Sequence, residues 1–302
     1  MDNLKIFIST HVDFDAPVTG GTYAVVSPNG CYTGPLEHYT ADLPWIIKDN
    51  FYSELYMMTW VSRNIQLPEY VGFCHYSKYF PFLDEIPTME EILEGNVAAV
   101  PSQVTVNGNN YSFYGKCHNI EDLETVGRII MDTRGDYYDA FQTMCGINWL
   151  IPYNMFIMRR EHFMAYIQFI NGILDEYLKN VGTDIHGYVT RNYRKYLKPY
   201  DKNQDITYQE RIGGFLAERL TTVFFLRNFP SVRTYDLYIP GQENATARPE
   251  QIETATEDKE NNTEEEAKTE ETGGAEVSTA ESDETAEATE APSEVRDVEA
   301  GD

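Results

Sequence analysis

Cysteine is scarce in this 302-residue chain, and the four present, Cys31, Cys74, Cys117 and Cys145, have neither metal-ligand spacing nor the density of a disulfide scaffold. That usage fits a reducing compartment. Positive charge is scarce too, with 23 Lys and Arg against 49 Asp and Glu and a net charge of −26. Phosphate-backbone affinity comes mainly from clustered Lys and Arg, so no nucleic-acid partner is expected. Local basic clusters stand at Arg159 with Arg160, and at Arg191, Arg194, Lys195 and Lys198, the second of which reads as a solvated face or an acceptor contact. No apolar run approaches the roughly 18 residues of a membrane span, so no transmembrane segment is expected. The first residues read as a strand, not a secretion signal, and the expected location is cytoplasmic. Four familiar chemistries are missing: the G-x-x-x-x-G-K-[ST] phosphate loop, the G-x-G-x-x-G dinucleotide turn, the G-x-S-x-G nucleophile elbow and the H-E-x-x-H metal helix.

Aromatic residues are absent from residues 241–302, which hold 21 of the 49 acids against four bases (Arg248, Lys259, Lys268 and Arg296), a net charge of −17. So little apolar surface cannot offset the entropy of ordering, and a disordered acidic tail is expected there. Residues 1–240 carry all 40 aromatic residues and a net charge of −9. They read as one globular domain with a substantial core.

Within that domain strands and helices alternate. Leu4 to Ser9 is a strand, and a shorter one follows at Tyr23 to Val26. Tyr52 to Asn64 has a helical face and leads into a strand at Val71. Thr88 with Glu91 forms a capping-box signature for a helix stopped at Gly95, and Val97 to Val100 is a strand. Asn119 with Asp122 starts a helix, Asp136 to Met144 continues helically, and Asn154 to Met158 is a strand feeding a helix from Glu161 to Leu178. A long helix from about Tyr208 to Leu226 precedes a strand near Val232 to Tyr238. This order predicts an α/β sandwich around a mostly parallel sheet.

The most informative stretch is Val71 to Phe80, VGFCHYSKYF. Its apolar run ends abruptly in His75, Tyr76, Ser77, Lys78 and Tyr79, a packet of hydrogen-bonding groups with a positive charge. Open α/β sheets bind ligands at the carboxyl ends of their strands, so this packet suits an anionic, hydroxyl-rich substrate. The alternative is a strand end covered by its own aromatic residues. Asp13 and Asp15 form a D-x-D just after the first strand. Two carboxylates so spaced can share Mg²⁺ or Mn²⁺ on a diphosphate, or can simply solvate a loop. Met155, Phe156 and Met158 read as core, and no aromatic residue is singled out as a sugar platform.

Six segments together carry a resemblance: ISTHVDFDAP at 8 to 17, Ser53-Glu54-Leu55 with Trp60, VGFCHYSKYF at 71 to 80, His118 with Glu121-Asp122-Leu123, PYNMFIMRREHF at 152 to 163, and RIGGFLAERL at 211 to 220. In their order and rough spacing they resemble a family of bacterial capsular-polysaccharide and lipopolysaccharide glycosyltransferases, catalogued mainly as a domain of unknown function. The resemblance covers about residues 4 to 240 and implies a GT-A-like fold. It further implies transfer of a hexose from a nucleotide-sugar donor, with UDP the expected nucleotide, to a glycan or lipid-linked glycan acceptor. Some relatives are similar to galactofuranosyltransferases. Two departures stand out: Ser77 replaces a basic residue, and the segment from Tyr23 to Glu37 differs from the usual loop. The second bears on donor or acceptor identity, while the first, with the acidic tail, keeps a second reading in view, an inactive glycosyltransferase-like binding or scaffold protein.

Under this resemblance Thr10, His11 and Asp13 meet the nucleotide, His75, Tyr76 and Lys78 the diphosphate or sugar, and Tyr153 and Asn154 the sugar hydroxyls. Lys78 would stabilise the departing diphosphate, on which negative charge grows in the transition state. The acceptor hydroxyl needs a base, for which Glu218, Asp122 and His118 have suitable chemistry, Glu218 ranking first for its place in the FLAER segment. Against these roles, Glu218 and Arg219 can simply brace the last helix as an ion pair, and His11 and His118 can be satisfied polar residues beside the core.

Overall fold

The computed structural model describes residues 3–43, 50–193 and 206–242. Trp45, the cations Arg194, Lys195 and Lys198, and the acidic segment from residue 243 lie outside the described residues.

The chain runs β1 (Leu4–Ser9), β2 (Tyr23–Ser27), β3 (His38–Thr40), α1 (Leu55–Asn64), β4 (Tyr70–His75), α2 (Met89–Leu93), β5 (Ala98–Pro101), β6 (Val104–Thr105), α3 (Asn110–Cys117) and α4 (Ile120–Thr133). A 3₁₀ turn at Gly135–Tyr137 leads into α5 (Tyr138–Gly146). Then come β7 (Trp149–Leu150), β8 (Phe156–Arg159), α6 (Arg160–Val181), α7 (Ile185–Asn192), α8 (Ile206–Gln209), α9 (Ile212–Asn228) and β9 (Arg233–Tyr235). Seven strands form one sheet in the order β3-β2-β1-β4-β8-β5-β9, while β6 and β7 form a separate pair. All pairings in the large sheet are parallel except those of β8, which is antiparallel to both β4 and β5. The expected α/β class and mostly parallel sheet are what the chain adopts.

Strands covered on both faces read as near-continuous apolar runs, and β1 shows how the run divides. Ile6 and Ile8 pack with Cys74, Met155, Ile157 and α2 residues Ile92 and Leu93, while Phe7 points the other way into a larger core. There it meets Phe73, Phe156 and the buried sides of α1, α4, α6 and α9. Helix α9 is buried along 13 of its 17 residues, so it has no polar stripe and behaves as a central core helix.

Several boundaries differ from the sequence reading. The expected helix at 208–226 is two, α8 and α9, and the expected strand at Asn154 starts at Phe156. Tyr153 and Asn154 have φ of 66° and 52°, which is incompatible with an extended strand. Helix α1 begins three residues late because Ser53 also has a left-handed backbone, with φ 48°. The Thr88–Glu91 capping box forms, with Glu91 N–H donating to Thr88 Oγ1 at 3.3 Å and Thr88 N–H to Glu91 Oε2 at 2.8 Å. Helix α3 and the β6–β7 pair had no counterpart in the sequence reading.

Candidate functional site

Parallel pairing of β1 with β4 sets Ser9 beside His75, so both strands end at the same sheet edge. Because β8 runs the opposite way, with Phe73 opposite Phe156, the residues entering β8 lie beside those leaving β4. That antiparallel strand brings Tyr153 and Asn154 to His75. The β4 end is a tight reversal in which His75 and Lys78 exchange backbone hydrogen bonds at 3.2 Å, with Tyr76 and Ser77 at its tip. Tyr76 N–H also donates to Ser9 O at 3.2 Å, locking the reversal onto β1.

Opposite this edge stands the first half of α9. It approaches residues 51–53 so closely that a Cβ on Gly214 would lie 2.5 Å from Ser53 Oγ, and one on Gly213 would lie 2.6 Å from Phe51 O. Gly214 N–H donates to Phe51 O at 3.0 Å, and Arg211 Nε donates to Ser53 Oγ at 3.0 Å. The adjacent glycines in RIGGFL are therefore the means by which α9 docks on the segment leading into α1. Between strand ends and helix lies a cleft of about 780 Å³, lined by Thr10, His11, His75, Tyr76, Lys78, Tyr153, His118 and Glu218 among others. Eight of the residues proposed from sequence thus share one cavity.

Two carboxylates occupy its floor and wall. Glu54 is buried, its Oε1 accepting from Asn154 Nδ2 at 2.7 Å and lying 3.8 Å from His75 Nε2. Burial is the largest influence and pushes its pKa up, but the His75 hydrogen bond and charge, with Asn154, outweigh it and hold the carboxyl below its ordinary value. Asn154 Oδ1 accepts from Thr221 Oγ1 at 2.8 Å, and Thr221 shares a hydrogen bond with Tyr166, so the strained Asn154 is tied to α9 and α6. His75 Nε2 donates to Tyr153 O at 3.2 Å, and because a carbonyl only accepts, that nitrogen carries hydrogen.

Glu218 differs. Its side chain is 26% exposed to the cleft, Oε1 accepts from Tyr153 N–H at 3.1 Å, and Oε2 meets Arg219 Nη1 at 3.1 Å. Burial raises its pKa, Arg219 opposes the rise and the negative charge of Glu54 adds to it, leaving Glu218 above the ordinary carboxylate value. Two carboxylates in one site with pKa values pushed in opposite directions are a recurring basis for dividing acid–base roles.

Positive and unsatisfied groups complete the cleft. Lys78 Nζ sits 4.8 Å from the Tyr153 ring centre and makes no ion pair among the described residues. Arg211 lies against the rings of Tyr208 and Phe215 at 5.7 and 5.9 Å. Ser9 Oγ and Arg219 Nε are buried in the lining without a hydrogen-bond partner among the described residues. His11 stands at the mouth, edge-on to Tyr76 at 5.5 Å, and partial desolvation, then Arg211 and His75, lower its pKa.

The other candidates are placed differently. Asp122 is fully buried outside the lining, where the hydroxyls of Tyr177 and Tyr188 donate to it at 2.7 and 2.6 Å and that of Tyr193 also donates. Burial raises its pKa and the three hydroxyls oppose the rise, an arrangement that fastens α4 to α6 and α7. His118 lines the cleft but is 6% exposed, stacked 4.1 Å from Phe215, with Nδ1 donating to Gln209 Oε1 at 2.9 Å. Burial and then Arg219 push its pKa down to about 3, so it is neutral and weakly basic at ordinary pH. Thr10 closes on its own turn, its Oγ1 donating to Val12 O at 2.6 Å.

Asp13 and Asp15 lie outside the cleft lining. Asp13 is exposed and accepts from the Thr33 hydroxyl at 2.7 Å and Thr33 N–H at 2.9 Å, the first of which is the main cause of its lowered pKa. Among the described residues no group of three or more His, Cys, Asp or Glu is gathered to hold a metal. As placed here, both carboxylate oxygens of Asp13 accept hydrogen bonds from Thr33.

Sequence reasoning quoted Ser53-Glu54-Leu55 but assigned Glu54 no role, and it passed over Ser9 and Arg211. Their membership in the quoted segments was the available signal.

The family described as "Domain of unknown function (DUF4422)" matches residues 5–229. No curated protein matches the chain. Among solved structures, the chain is similar to one titled "WbbM bifunctional glycosytransferase apo structure", with a TM-score of 0.63 and 21% sequence identity. The match covers 78% of this chain and 45% of that one, so the chain spans under half of that protein's length. The shared fold is α/β and GT-A-like, and no helix among the described residues is long and apolar enough to cross a membrane.

Proposed function

The chain belongs to the DUF4422 family, and from that membership and the geometry of the cleft we propose that it is a glycosyltransferase moving a hexose from a UDP-linked donor to a glycan acceptor in surface-polysaccharide synthesis. The observation that carries this reading is the cleft between the ends of β1 and β4 and the start of α9, whose lining brings Lys78 and Arg211 together with two carboxylates of opposite pKa direction. The fold likeness to a glycosyltransferase supports it.

The chemistry follows from the residues. The acceptor hydroxyl gives its proton to Glu218, whose raised pKa makes it a better base than an ordinary carboxylate while the Arg219 charge favours its ionised form. The freed oxygen forms a bond to the anomeric carbon as the bond from that carbon to the diphosphate oxygen breaks. UDP leaves with the electron pair, and Lys78 with Arg211 meets the growing negative charge. One displacement of this kind inverts the anomeric centre. Glu54 stays ionised, holds Asn154, and sets His75 over the sugar. The buried Ser9 Oγ, without a partner among the described residues, is a hydrogen-bonding group for the donor.

Lys78 offers the direct test by binding. Calorimetric titration with UDP should give saturable binding, and Lys78→Ala should weaken it by roughly 1 to 3 kcal/mol, the range for hydrogen bonds to charged groups. No binding by the native protein would overturn the donor assignment, and unchanged affinity in the variant would remove Lys78 from the site.

A further inference from the structure

The cleft does not end at Glu218. Beyond it the lining passes onto the last turn of α3, the short α8 and the Phe215 face of α9. On α3, Phe113 and Lys116 are three residues apart, the spacing that puts side chains on one helical face, and both line the cleft. The adjacent side of α3 is buried through Asn110 and Tyr114. Phe113 is half-buried and has no ring partner among the described residues, although other aromatic residues of the domain pair extensively. Lys116 is exposed and makes no ion pair among the described residues.

This wall is firmly built. Tyr208 lies 5.1 Å from Phe215, and Phe215 stacks on His118. The hydrogen bonds of Gln209 to His118 Nδ1 at 2.9 Å and to Cys117 O at 3.3 Å fasten α8 to α3. Arg219, paired with Glu218, sits 5.2 Å from the Tyr114 ring of the same helix. Glu218 therefore stands at the junction of the two ends, touching Tyr153 of the strand side through its N–H and α3 through Arg219.

We propose that this helical end is the acceptor subsite, and that it takes a sugar ring against Phe113 with an anionic group of the same acceptor on Lys116. An aromatic ring in the cleft lining suits the apolar C–H face of a sugar, and an ammonium beside it with no ion-pair partner among the described residues selects negative charge. The anionic group is either a phosphate, as in a lipid-linked glycan, or the carboxylate of an acidic sugar. This inference rests on the glycosyltransferase reading for the position of the donor.

The full chain is first saturated with UDP to fill the donor end, and three sugars are then titrated by ligand-observed NMR: a methyl hexopyranoside, the corresponding methyl hexuronide and a hexose 1-phosphate. One or both anionic sugars should bind about fivefold or more tighter than the neutral one, the gain from one partly desolvated ion pair. Lys116→Glu, at an exposed position, should abolish that preference, and Phe113→Leu, which keeps apolar volume but removes the ring face, should weaken all three. Whether the uronide or the phosphate is preferred identifies the source of the charge. Equal binding of the three sugars, or an anion preference that survives Lys116→Glu, would overturn the proposal. Failure of UDP to bind would count against the glycosyltransferase reading instead, and the same titration without UDP would still decide the subsite.

Discussion

Tyr153 and Asn154 hold left-handed backbone conformations that cost of order 1–3 kcal/mol each in non-glycine residues, and such strain persists where surrounding contacts over-determine it. Here those contacts are the bonds from Tyr153 to Glu218 and His75, and from Asn154 to Glu54 and Thr221. The strain places a backbone N–H on Glu218 and an amide on Glu54. Arg219 is paired with Glu218. Its charge favours ionised Glu218, so Arg219→Gln should raise the Glu218 pKa further. Turnover that needs the ionised form rises with pH through that pKa, so the acid limb of the pH–rate profile should move to higher pH in the variant. A limb that stays in place would mean that Glu218 does not govern the rate.

At the scale of elements, the contact between α9 and the segment before α1 shapes the cleft. Gly214→Ala would put a Cβ 2.9 Å from Ser53 Cβ and 2.5 Å from its Oγ, an overpacking that should cost roughly 1–3 kcal/mol. Gly146→Ala, with nothing within 4 Å of the added carbon, is the matched control. Chemical denaturation should show a lowered midpoint for the first and a near-native one for the second. Elements set by local chemistry were legible in the sequence: β1, β4 and the Thr88–Glu91 capping box each depend on a handful of neighbouring residues. Helix α3 was not, because NYSFYGKC has little apolar periodicity and its start is set by the Asn109–Ser112 capping box. The break between α8 and α9 was missed because the residues at it, Gln209, Glu210 and Arg211, are all good helix formers, while Arg211 turns aside to Ser53, 158 residues away in sequence.

Across the whole molecule, the candidate site is assembled by topology. His75, Tyr76 and Lys78 were legible because a strand end announces itself in the chain. Glu54 was not, since its role depends on Asn154, 100 residues away and delivered by an antiparallel strand that no local pattern specifies. The uneven charge of the chain gives a prediction at the same scale. Composition leads us to expect no packed surface from residues 241–302, so truncation after Pro240 should leave Tm within about a degree or two. A large fall, or strong hydrogen-exchange protection of tail amides in the full chain, would contradict it.

The central claim is that this cleft transfers sugar with Glu218 as the base, and UDP release from a UDP-hexose in the presence of acceptor reads it directly. The native protein should release UDP catalytically, and Glu218→Gln should lower that rate by roughly 10²- to 10⁴-fold while UDP affinity stays within a few-fold. UDP binding without turnover by the native protein, or a folded Glu218→Gln protein that releases UDP at the native rate, would contradict the account.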